Sequence, residues 1–283
     1  MSFIEAIILG FVQGLTEFLP ISSSAHLRIL GEFLPSATDP GATFTAITQI
    51  GTEIAVLIYF RRDISRIIGR WFRSLRQRSG AHADNVPRND PDAKLGWLVI
   101  IATVPIVIVG YLAQEQIRNT FRSLWLVAIV LIVFGIILGL ADWLGRKAKP
   151  LDQMRFGAGI AVGFAQILSL VPGVSRSGAT TSAALAFGYN RPAAARFSFF
   201  LAIPAVFGAG LFELVNSFEG PTGPYGYAET AVATIIAFGV GYLVIAFLMK
   251  YIATHSFMPF VVYRILLGGG LIVLLSLGIL QPL

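Results

Sequence analysis

Long apolar runs alternate with short polar stretches along the whole chain, and this pattern predicts a helical membrane protein. A helix that crosses a hydrocarbon core of roughly 30 Å needs about 20 mostly apolar residues. Six runs approach this length. They extend over approximately Phe44–Phe60, Leu95–Ala113, Leu124–Leu144, Phe197–Leu214, Ala231–Met249 and Phe257–Leu280.

Two further apolar segments, Met1–Pro35 and Phe156–Gly188, are interrupted by polar residues and by a proline. Pro20 cannot continue a helix, and it disfavours helical geometry in the residue before it. Each half of these segments is also too short to cross a membrane. We therefore predict two re-entrant helix hairpins, each entering and leaving on one face. Such backbone must be buried in protein or line a wet cavity.

The two interrupted segments resemble each other, which indicates an internal repeat. Three residue pairs are separated by 153, 153 and 154 positions, namely Gln13 with Gln166, Phe44 with Phe197, and Pro105 with Pro259. Each half holds one hairpin and three spans, and an odd number of crossings obliges the halves to lie in opposite orientations. The predicted fold is an all-α polytopic membrane protein with one domain over residues 1–283, built from inverted repeats at about 1–144 and 156–283.

Composition supports the membrane assignment, because 55% of the 283 residues are hydrophobic and only 13% are charged. The absence of cysteine excludes disulfides, thiolate catalysis and cysteine-ligated zinc. The net charge of +6 would also suit a nucleic-acid-binding protein. However, the basic residues are concentrated in loops between apolar runs, so we predict a lipid bilayer and no nucleic acid as partner.

Charge also predicts the topology. The loop at about Arg61–Lys94 holds nine Lys and Arg against four Asp, which places it in the cytoplasm. The stretch that holds Glu213, Glu219 and Glu229 then faces outside. Both termini and the first hairpin are expected on the outer side, and the second hairpin enters from the cytoplasm. Within the basic loop, Arg61–Arg78 is expected to form a helix at the lipid headgroups. The acidic, lysine-free start of the chain argues against a cleaved signal peptide.

In each hairpin the second half-helix points its N-terminus into the protein, which predicts an anion site made by free N–H groups and the helix dipole. The polar residues at these ends are Ser22, Ser23 and Ser24 in the first hairpin and Ser175, Arg176 and Ser177 in the second. The forked guanidinium of Arg176 suits a phosphate or diphosphate. The alternative for these serines is a helix N-cap.

The first hairpin also brings a carboxylate, a hydroxyl and an imidazole close together. Gln13 and Glu17 share a helical face, and Ser22 and Ser23 lie four and three residues before His26 on the next one. These groups are the ones needed for phosphoryl transfer to a serine or to an activated water. Ionisable groups inside membrane segments cost roughly 2.5 to 3.5 kcal/mol and usually mark function.

Glu53 and Arg264 are two other ionisable residues that fall inside predicted spans. They can pair with each other or with groups at the membrane interface, so we assign them no role in the site. The chain has no Walker A motif, which argues against nucleotide hydrolysis by that route.

At these residues the chain resembles the undecaprenyl-diphosphatases of bacteria, also called bacitracin-resistance proteins. One motif, Glu/Gln-x-x-x-Glu followed by Phe-Leu-Pro-x-Ser-Ser, extends from Gln13 to Ser23 and continues to His26. The other, Pro-Gly-x-Ser-Arg-Ser-x-x-Thr, extends from Pro172 to Thr180. The resemblance implies removal of the terminal phosphate from undecaprenyl diphosphate at the outer side of the plasma membrane, which recycles the lipid carrier for cell-wall synthesis. It also implies a divalent cation, Mg²⁺ or Ca²⁺.

The resemblance assigns roles to single residues. It implies that Glu17 is the essential carboxylate, Ser23 the nucleophile, His26 the motif histidine and Arg176 the phosphate-holding arginine. The residues expected to bind substrate are Gln13, Ser22, Ser24, Ser175, Ser177 and Thr180. Glu17 and Gln13 are expected to hold the cation, with the diphosphate supplying further ligands because Gln13 is not a carboxylate.

Several alternatives stay open at this point. The nucleophile is a serine or a water molecule, and the proton acceptor is His26 or Glu17. Inverted repeats and broken helices are also typical of secondary transporters and lipid flippases, which are the leading alternative function. A purely structural membrane protein would leave the intramembrane polar residues without a purpose. The sequence leaves open whether the protein forms a homodimer.

Overall fold

The computed structural model describes residues 3–35, 39–78, 86–87, 89–118, 121, 123–218 and 224–281, and these form an all-helical protein. Six helices are long and apolar enough to cross a membrane. They are α3 (Gly41–Tyr59), α5 (Pro91–Leu112), α7 (Leu124–Leu144), α10 (Arg191–Asn216), α11 (Tyr227–Tyr251) and α12 (Met258–Ser276). The predicted all-α membrane architecture is therefore confirmed, and every predicted span overlaps one of these helices.

Both interrupted segments form helix pairs. The first pair is α1 (Phe3–Glu17) and α2 (Ser23–Phe33), and the second is α8 (Phe156–Ile167) and α9 (Arg176–Ala186). At a rise of about 1.5 Å per residue, none of the four reaches roughly 30 Å. The remaining elements are α4 (Arg61–Arg78), the short α6 (Gln114–Arg118), and single 3₁₀ turns at Leu151–Gln153 and Leu168–Leu170.

Helix α4 occupies much of the predicted basic loop. Its apolar face packs on the start of α5, where Trp71 lies against Gly96 and Arg66 forms a salt bridge of 2.9 Å with Asp92. Ile68 and Phe72 on the same helix stay exposed. Apolar residues and arginines on separate faces are typical of a helix that lies at a membrane interface.

The two halves of the described chain exchange packing partners. Helix α1 packs on α11 of the second half, and α8 packs on α5 of the first half. Gly10 and Gly163, which lie at equivalent repeat positions, allow these close helix contacts. A Cβ at Gly10 would collide with the backbone of Ala233, and a Cβ at Gly163 would collide with that of Ala102. Helix α3 contacts α10, and α7 contacts α12. The inverted-repeat relation between the two halves, with their opposite orientations, stays a prediction.

One predicted correspondence between the halves is wrong. Pro105 lies inside α5, the second span of its half, whereas Pro259 lies in the first turn of α12, the third span of its half. The physical reason is the additional helix α4, which lengthens the first half and shifts the register after α3. The matched pair Phe44 and Phe197 does lie in equivalent helices, α3 and α10.

Candidate active site

The first hairpin turn sets a carboxylate beside a hydroxyl. Helix α1 ends at Glu17, the turn passes through Pro20, and α2 begins at Ser23. Ser22 adopts a left-handed φ of 74° and caps α2, because its Oγ accepts a hydrogen bond of 3.4 Å from the N–H of Ala25. The N-cap alternative is thus realised by Ser22, and it leaves the next residue, Ser23, at the first position of the helix.

The second hairpin repeats this turn with an arginine in the equivalent place. Ser175 has a φ of 69°, and its Oγ accepts a hydrogen bond of 3.1 Å from the N–H of Gly178. Arg176 is the first residue of α9, as Ser23 is of α2. The Oγ atoms of Ser175 and Ser177 are 3.1 Å apart, and those of Ser22 and Ser24 are 3.3 Å apart.

Direct hydrogen bonds join the two turns. The N–H of Gly173 donates to Oγ of Ser22 over 3.1 Å, and Oγ of Ser177 donates to the carbonyl of Leu19 over 3.2 Å. Each turn therefore supplies one serine side chain that holds the backbone of the other turn. The predicted meeting of the two broken segments is observed.

A buried arginine from the last span fastens this junction. Nη1 of Arg264 donates to the carbonyls of Pro20 and Val174 at 3.0 Å each, and Nη2 donates to Gly173 at 2.7 Å. Its Nε donates to the carbonyl of Leu131 in α7 at 3.1 Å. The side chain is fully buried, so the backbone carbonyls of the turns replace water around its charge. The suggested pairing of Arg264 with Glu53 is wrong, because carbonyls take up its donors.

Glu17 is the centre of a polar cluster formed with Gln13, Ser23 and Arg176. Its Oε2 accepts hydrogen bonds from Nε2 of Gln13 at 2.7 Å and from Oγ of Ser23 at 2.5 Å. Its Oε1 accepts from Nη2 of Arg176 in an ion pair that links the two hairpins. The structure thus brings together four of the predicted site residues. Hydrogen bonds to an ionised group are about twice as strong as neutral ones, so this carboxylate orients all three donors.

Helix α3 adds two polar residues that were not assigned to the site. Nε2 of Gln49 lies 3.5 Å from Oε2 of Glu17, and Oε1 of Glu53 lies 3.4 Å from Nη2 of Arg176. The intramembrane charge of Glu53 was a signal for such a role. Gln49 carries no charge, and only its spacing of one helical turn from Glu53 could have indicated it.

His26 and Thr180 lie outside this cluster. Nδ1 of His26 lies 2.7 Å from the carbonyl of Ser22, and Nε2 lies 2.7 Å from the hydroxyl of Tyr263. Both ring nitrogens therefore have partners other than Ser23. Thr180 donates to the carbonyl of Arg176 at 2.7 Å, and its oxygen lies 2.6 Å from Oγ of Ser198, so its hydroxyl is used inside the α9 and α10 packing.

A cavity of about 460 Å³ borders the cluster, since Glu17, Ser23 and Arg176 are among its lining residues. Its polar floor contains Glu17, Ser22, Ser23, Ser24, Gln49, Ser175 and Arg176. The walls come from α3, α5, α6 and α10 and are mostly small or apolar, with Ala46, Ile106, Val107, Gly110, Ala205 and Phe212 among them. Glu213 lies at the far end of the cavity, where Thr43 donates to it over 2.8 Å. Gln13, His26, Ser177 and Thr180 are not among the lining residues.

The cluster contains buried oxygen atoms of the type that binds a divalent cation. Within the described residues, Oε1 of Gln13 and Oε2 of Glu53 are buried without a hydrogen-bond partner. Carboxylate and amide oxygens are ligands that Mg²⁺ and Ca²⁺ accept. The described residues contain no group of three or more His, Cys, Asp or Glu that would form a complete protein site. The arrangement therefore suits a cation that takes its remaining ligands from phosphate and water.

Comparison with known proteins gives consistent relatives. A protein from Micrococcus luteus named undecaprenyl-diphosphatase is 60% identical over 283 residues, which cover 99% of this chain and 100% of that protein. An undecaprenyl-diphosphatase from Clavibacter michiganensis is 63% identical over 278 residues, covering 98% of both chains. One from Streptomyces coelicolor, named undecaprenyl-diphosphatase 2, is 51% identical over 294 residues and covers 100% of this chain.

The family model described as bacitracin resistance protein BacA matches residues 6–270. This match contains both hairpin turns, the Glu17–Arg176 ion pair between them, and Arg264. The chain belongs to the bacitracin resistance protein BacA family.

Proposed function

We propose that this protein hydrolyses undecaprenyl diphosphate to undecaprenyl phosphate and inorganic phosphate, which recycles the lipid carrier for cell-wall synthesis and confers bacitracin resistance. The observation that carries the proposal is the cluster of Glu17, Ser23 and Arg176 at the floor of a cavity with apolar walls. Relatives of 60% and 63% identity are named for this activity.

The cavity separates the two parts of such a substrate. The diphosphate would lie on the floor, where Arg176 and the N-termini of α2 and α9 attract negative charge. The first isoprene units would contact the apolar wall. The wall residues Val107, Tyr111 and Phe212 are 54%, 69% and 43% exposed, so the wall continues onto the outer surface of the helices. A long tail would leave the cavity there and remain in lipid.

Ser23 is the nucleophile in this proposal, and Glu17 is the proton acceptor. The hydroxyl donates to Oε2 of Glu17 at 2.5 Å, so the proton moves to the carboxylate as Oγ attacks the terminal phosphorus. The anhydride P–O bond breaks, and undecaprenyl phosphate leaves with the electron pair. Water then hydrolyses the phosphoserine to release inorganic phosphate. Arg176 stabilises the negative charge that develops on the transferred group.

A divalent cation, Mg²⁺ or Ca²⁺, is part of the proposal. Glu17 and Gln13 would hold it together with phosphate oxygens. When bound, it neutralises charge on the diphosphate oxygens and so favours nucleophilic attack.

We further propose that the protein lies in the bacterial plasma membrane with the cavity on the outer side. The cavity is lined by the first residues of α3 and the last residues of α5 and α10. The arginine-rich α4 connects the opposite ends of α3 and α5. Since basic segments stay in the cytoplasm, the cavity faces away from it. Whether two copies form a homodimer stays a prediction.

The test is phosphate release by the purified protein from a polyprenyl diphosphate in detergent with Mg²⁺, compared with chelator and metal add-back. A hydrolase releases phosphate, whereas a transporter or flippase releases none. Ser23→Ala should lower turnover by at least about a hundredfold if serine is the nucleophile. Nearly unchanged turnover would leave water as the nucleophile. Arg176→Ala should abolish activity by either route.

A further inference from the structure

Glu53 is a buried carboxylate outside both sequence motifs. It lies in the middle of α3 and is fully buried. Its Oε1 contacts Nη2 of Arg176 at 3.4 Å, and its Oε2 has no hydrogen-bond partner among the described residues. A charge in this environment is costly unless a partner compensates it. Arg176 is the cationic side chain that contacts Glu53.

Arg176 is shared between two carboxylates with different access to substrate. Glu17 and Arg176 both line the cavity, whereas Glu53 does not. Both carboxylates contact the same atom, Nη2 of Arg176. Glu53 therefore holds the guanidinium from the protein side, and Glu17 holds it from the cavity side.

Substrate binding brings a third acceptor to Arg176, on the cavity side where Glu17 lies. The proposed function requires Arg176 to donate to phosphate, and a diphosphate entering the cavity competes with Glu17, which also accepts from Gln13 and Ser23. Glu53 does not line the cavity, so its contact with Arg176 can persist in the complex. A fixed carboxylate behind a guanidinium restricts the orientations that the guanidinium can adopt.

We propose that Glu53 is a positioning residue that keeps the guanidinium of Arg176 at the cavity floor in the orientation that binds the diphosphate. This inference rests on the proposed phosphate-binding role of Arg176. It predicts that removing the negative charge of Glu53 weakens the binding of an anion. Charge repulsion alone predicts the opposite change in affinity, because an anion should bind more tightly once a nearby negative charge is removed.

The experiment measures binding of inorganic pyrophosphate by calorimetry to the intact protein in detergent. Glu53→Gln, which preserves side-chain volume, should raise the dissociation constant by about tenfold or more, as expected when one partner of a buried charge pair is removed. Glu53→Asp should give a smaller increase. Asp142→Asn is the matched control, because it removes a buried carboxylate that pairs with Arg191 and does not line the cavity, and it should not weaken binding.

A double-mutant cycle separates positioning from a general structural effect. In the Arg176→Ala background, Glu53→Gln should have no further effect on the dissociation constant, because the residue it positions is gone. Additive effects, or unchanged or tighter binding in the single variant, would overturn the proposal. In turnover assays, KM of Glu53→Gln should rise more than kcat falls.

This binding measurement does not depend on catalysis. A wild-type protein that binds pyrophosphate through Arg176 but releases no phosphate from a polyprenyl diphosphate would contradict the proposed function while leaving the role of Glu53 intact. Retained hydrolysis with unchanged pyrophosphate binding in Glu53→Gln would contradict only the role of Glu53. Unfolding temperatures of both variants identify any loss that comes from misfolding.

Discussion

At the residue scale, the site is organised around Glu17, which accepts hydrogen bonds from several side chains. Its two oxygens take hydrogen bonds from Gln13, Ser23 and Arg176, which come from both hairpins. A single carboxylate thus fixes the hydroxyl, the guanidinium and the relative position of the turns. The oxygen that accepts from Ser23 is also the atom placed to take the serine proton.

The contacts of His26 lead to a prediction about its role. The carbonyl of Ser22 can only accept, so Nδ1 of His26 carries the proton, and in the neutral ring Nε2 accepts from Tyr263. The imidazole therefore supports the turn that carries Ser23. His26→Asn, whose amide can still donate to this carbonyl, should keep phosphate release within about tenfold of wild type, as expected if only hydrogen-bond geometry is lost.

His26→Ala is the comparison, because it removes the donor altogether and should lower both turnover and unfolding temperature. Phosphate-release kinetics and thermal unfolding measure the two effects. Equal loss of activity in the asparagine and alanine variants, with no change in unfolding temperature, would instead indicate that the imidazole itself accepts the serine proton.

Sequence alone located part of this site. Glu17 and Arg176 were indicated by charge inside a membrane segment, whereas Ser23 was distinguished from the neighbouring serines only by the resemblance to a known family. Gln49 was missed because an uncharged amide in a span gives no such signal. The position of His26 was also not predictable, since its spacing from Ser23 fits a helical contact while its actual partners depend on α12, which is remote in sequence.

At the element scale, the two hairpin turns depend on one residue of another helix. Arg264 donates to carbonyls of both turns, and these carbonyls have left the helical hydrogen-bond pattern. The sequence indicated only that a charge lies within the last span. It could not identify the partners, because carbonyl groups are present at every residue and give no pattern.

Arg264→Met is expected to destabilise the protein, because several buried carbonyls lose their donor at about 1–3 kcal/mol each. The unfolding temperature in detergent should fall, and phosphate release should fall by at least about a hundredfold, since misplaced reacting groups cost that much. Activity should be measured well below the unfolding temperature of the variant, so that folded protein is compared.

Arg191→Met is the matched control for this prediction. Arg191 forms a partly buried salt bridge of 2.6 Å with Asp142, but it does not line the cavity. This variant should lose stability and keep activity at a permissive temperature. If both variants keep activity, the turns do not require Arg264 for their placement.

At the scale of the whole molecule, the cavity is formed by helices of both halves. Hydropathy predicted the six spans, because their length and apolar content are local properties. The cavity could not be predicted, since it depends on where α3, α5 and α10 diverge. Its small side chains, such as Ala46 and Ala205, look like ordinary packing positions in the sequence.

Filling the wall should affect the lipid tail and not the diphosphate. Ala205→Phe is expected to raise KM for a polyprenyl diphosphate by about tenfold, since the added ring occupies space for apolar contacts worth about 1–3 kcal/mol. Inorganic pyrophosphate has no tail, so its inhibition constant should stay unchanged. Ile235→Phe, at an exposed position outside the cavity, is the control. An equal change in both constants would place the tail elsewhere.

The absence of cysteine allows a direct test of topology. Single cysteines can be introduced at Tyr111, beside the cavity, and at Arg73 in α4. In intact cells, a membrane-impermeant maleimide should label the first and not the second, because basic segments remain in the cytoplasm. The reverse labelling pattern would invert the proposed orientation, and equal labelling in lysed cells checks that both thiols are reactive.

The location of Arg264 in the final span bears on how the protein is made. Ser23 and Arg176 emerge from the ribosome long before α12, yet the guanidinium that binds both of their turns arrives with that last helix. We expect a nascent chain to remain catalytically silent until α12 has been translated and inserted. Premature termination ahead of α12 would then leave an inserted but inactive polypeptide.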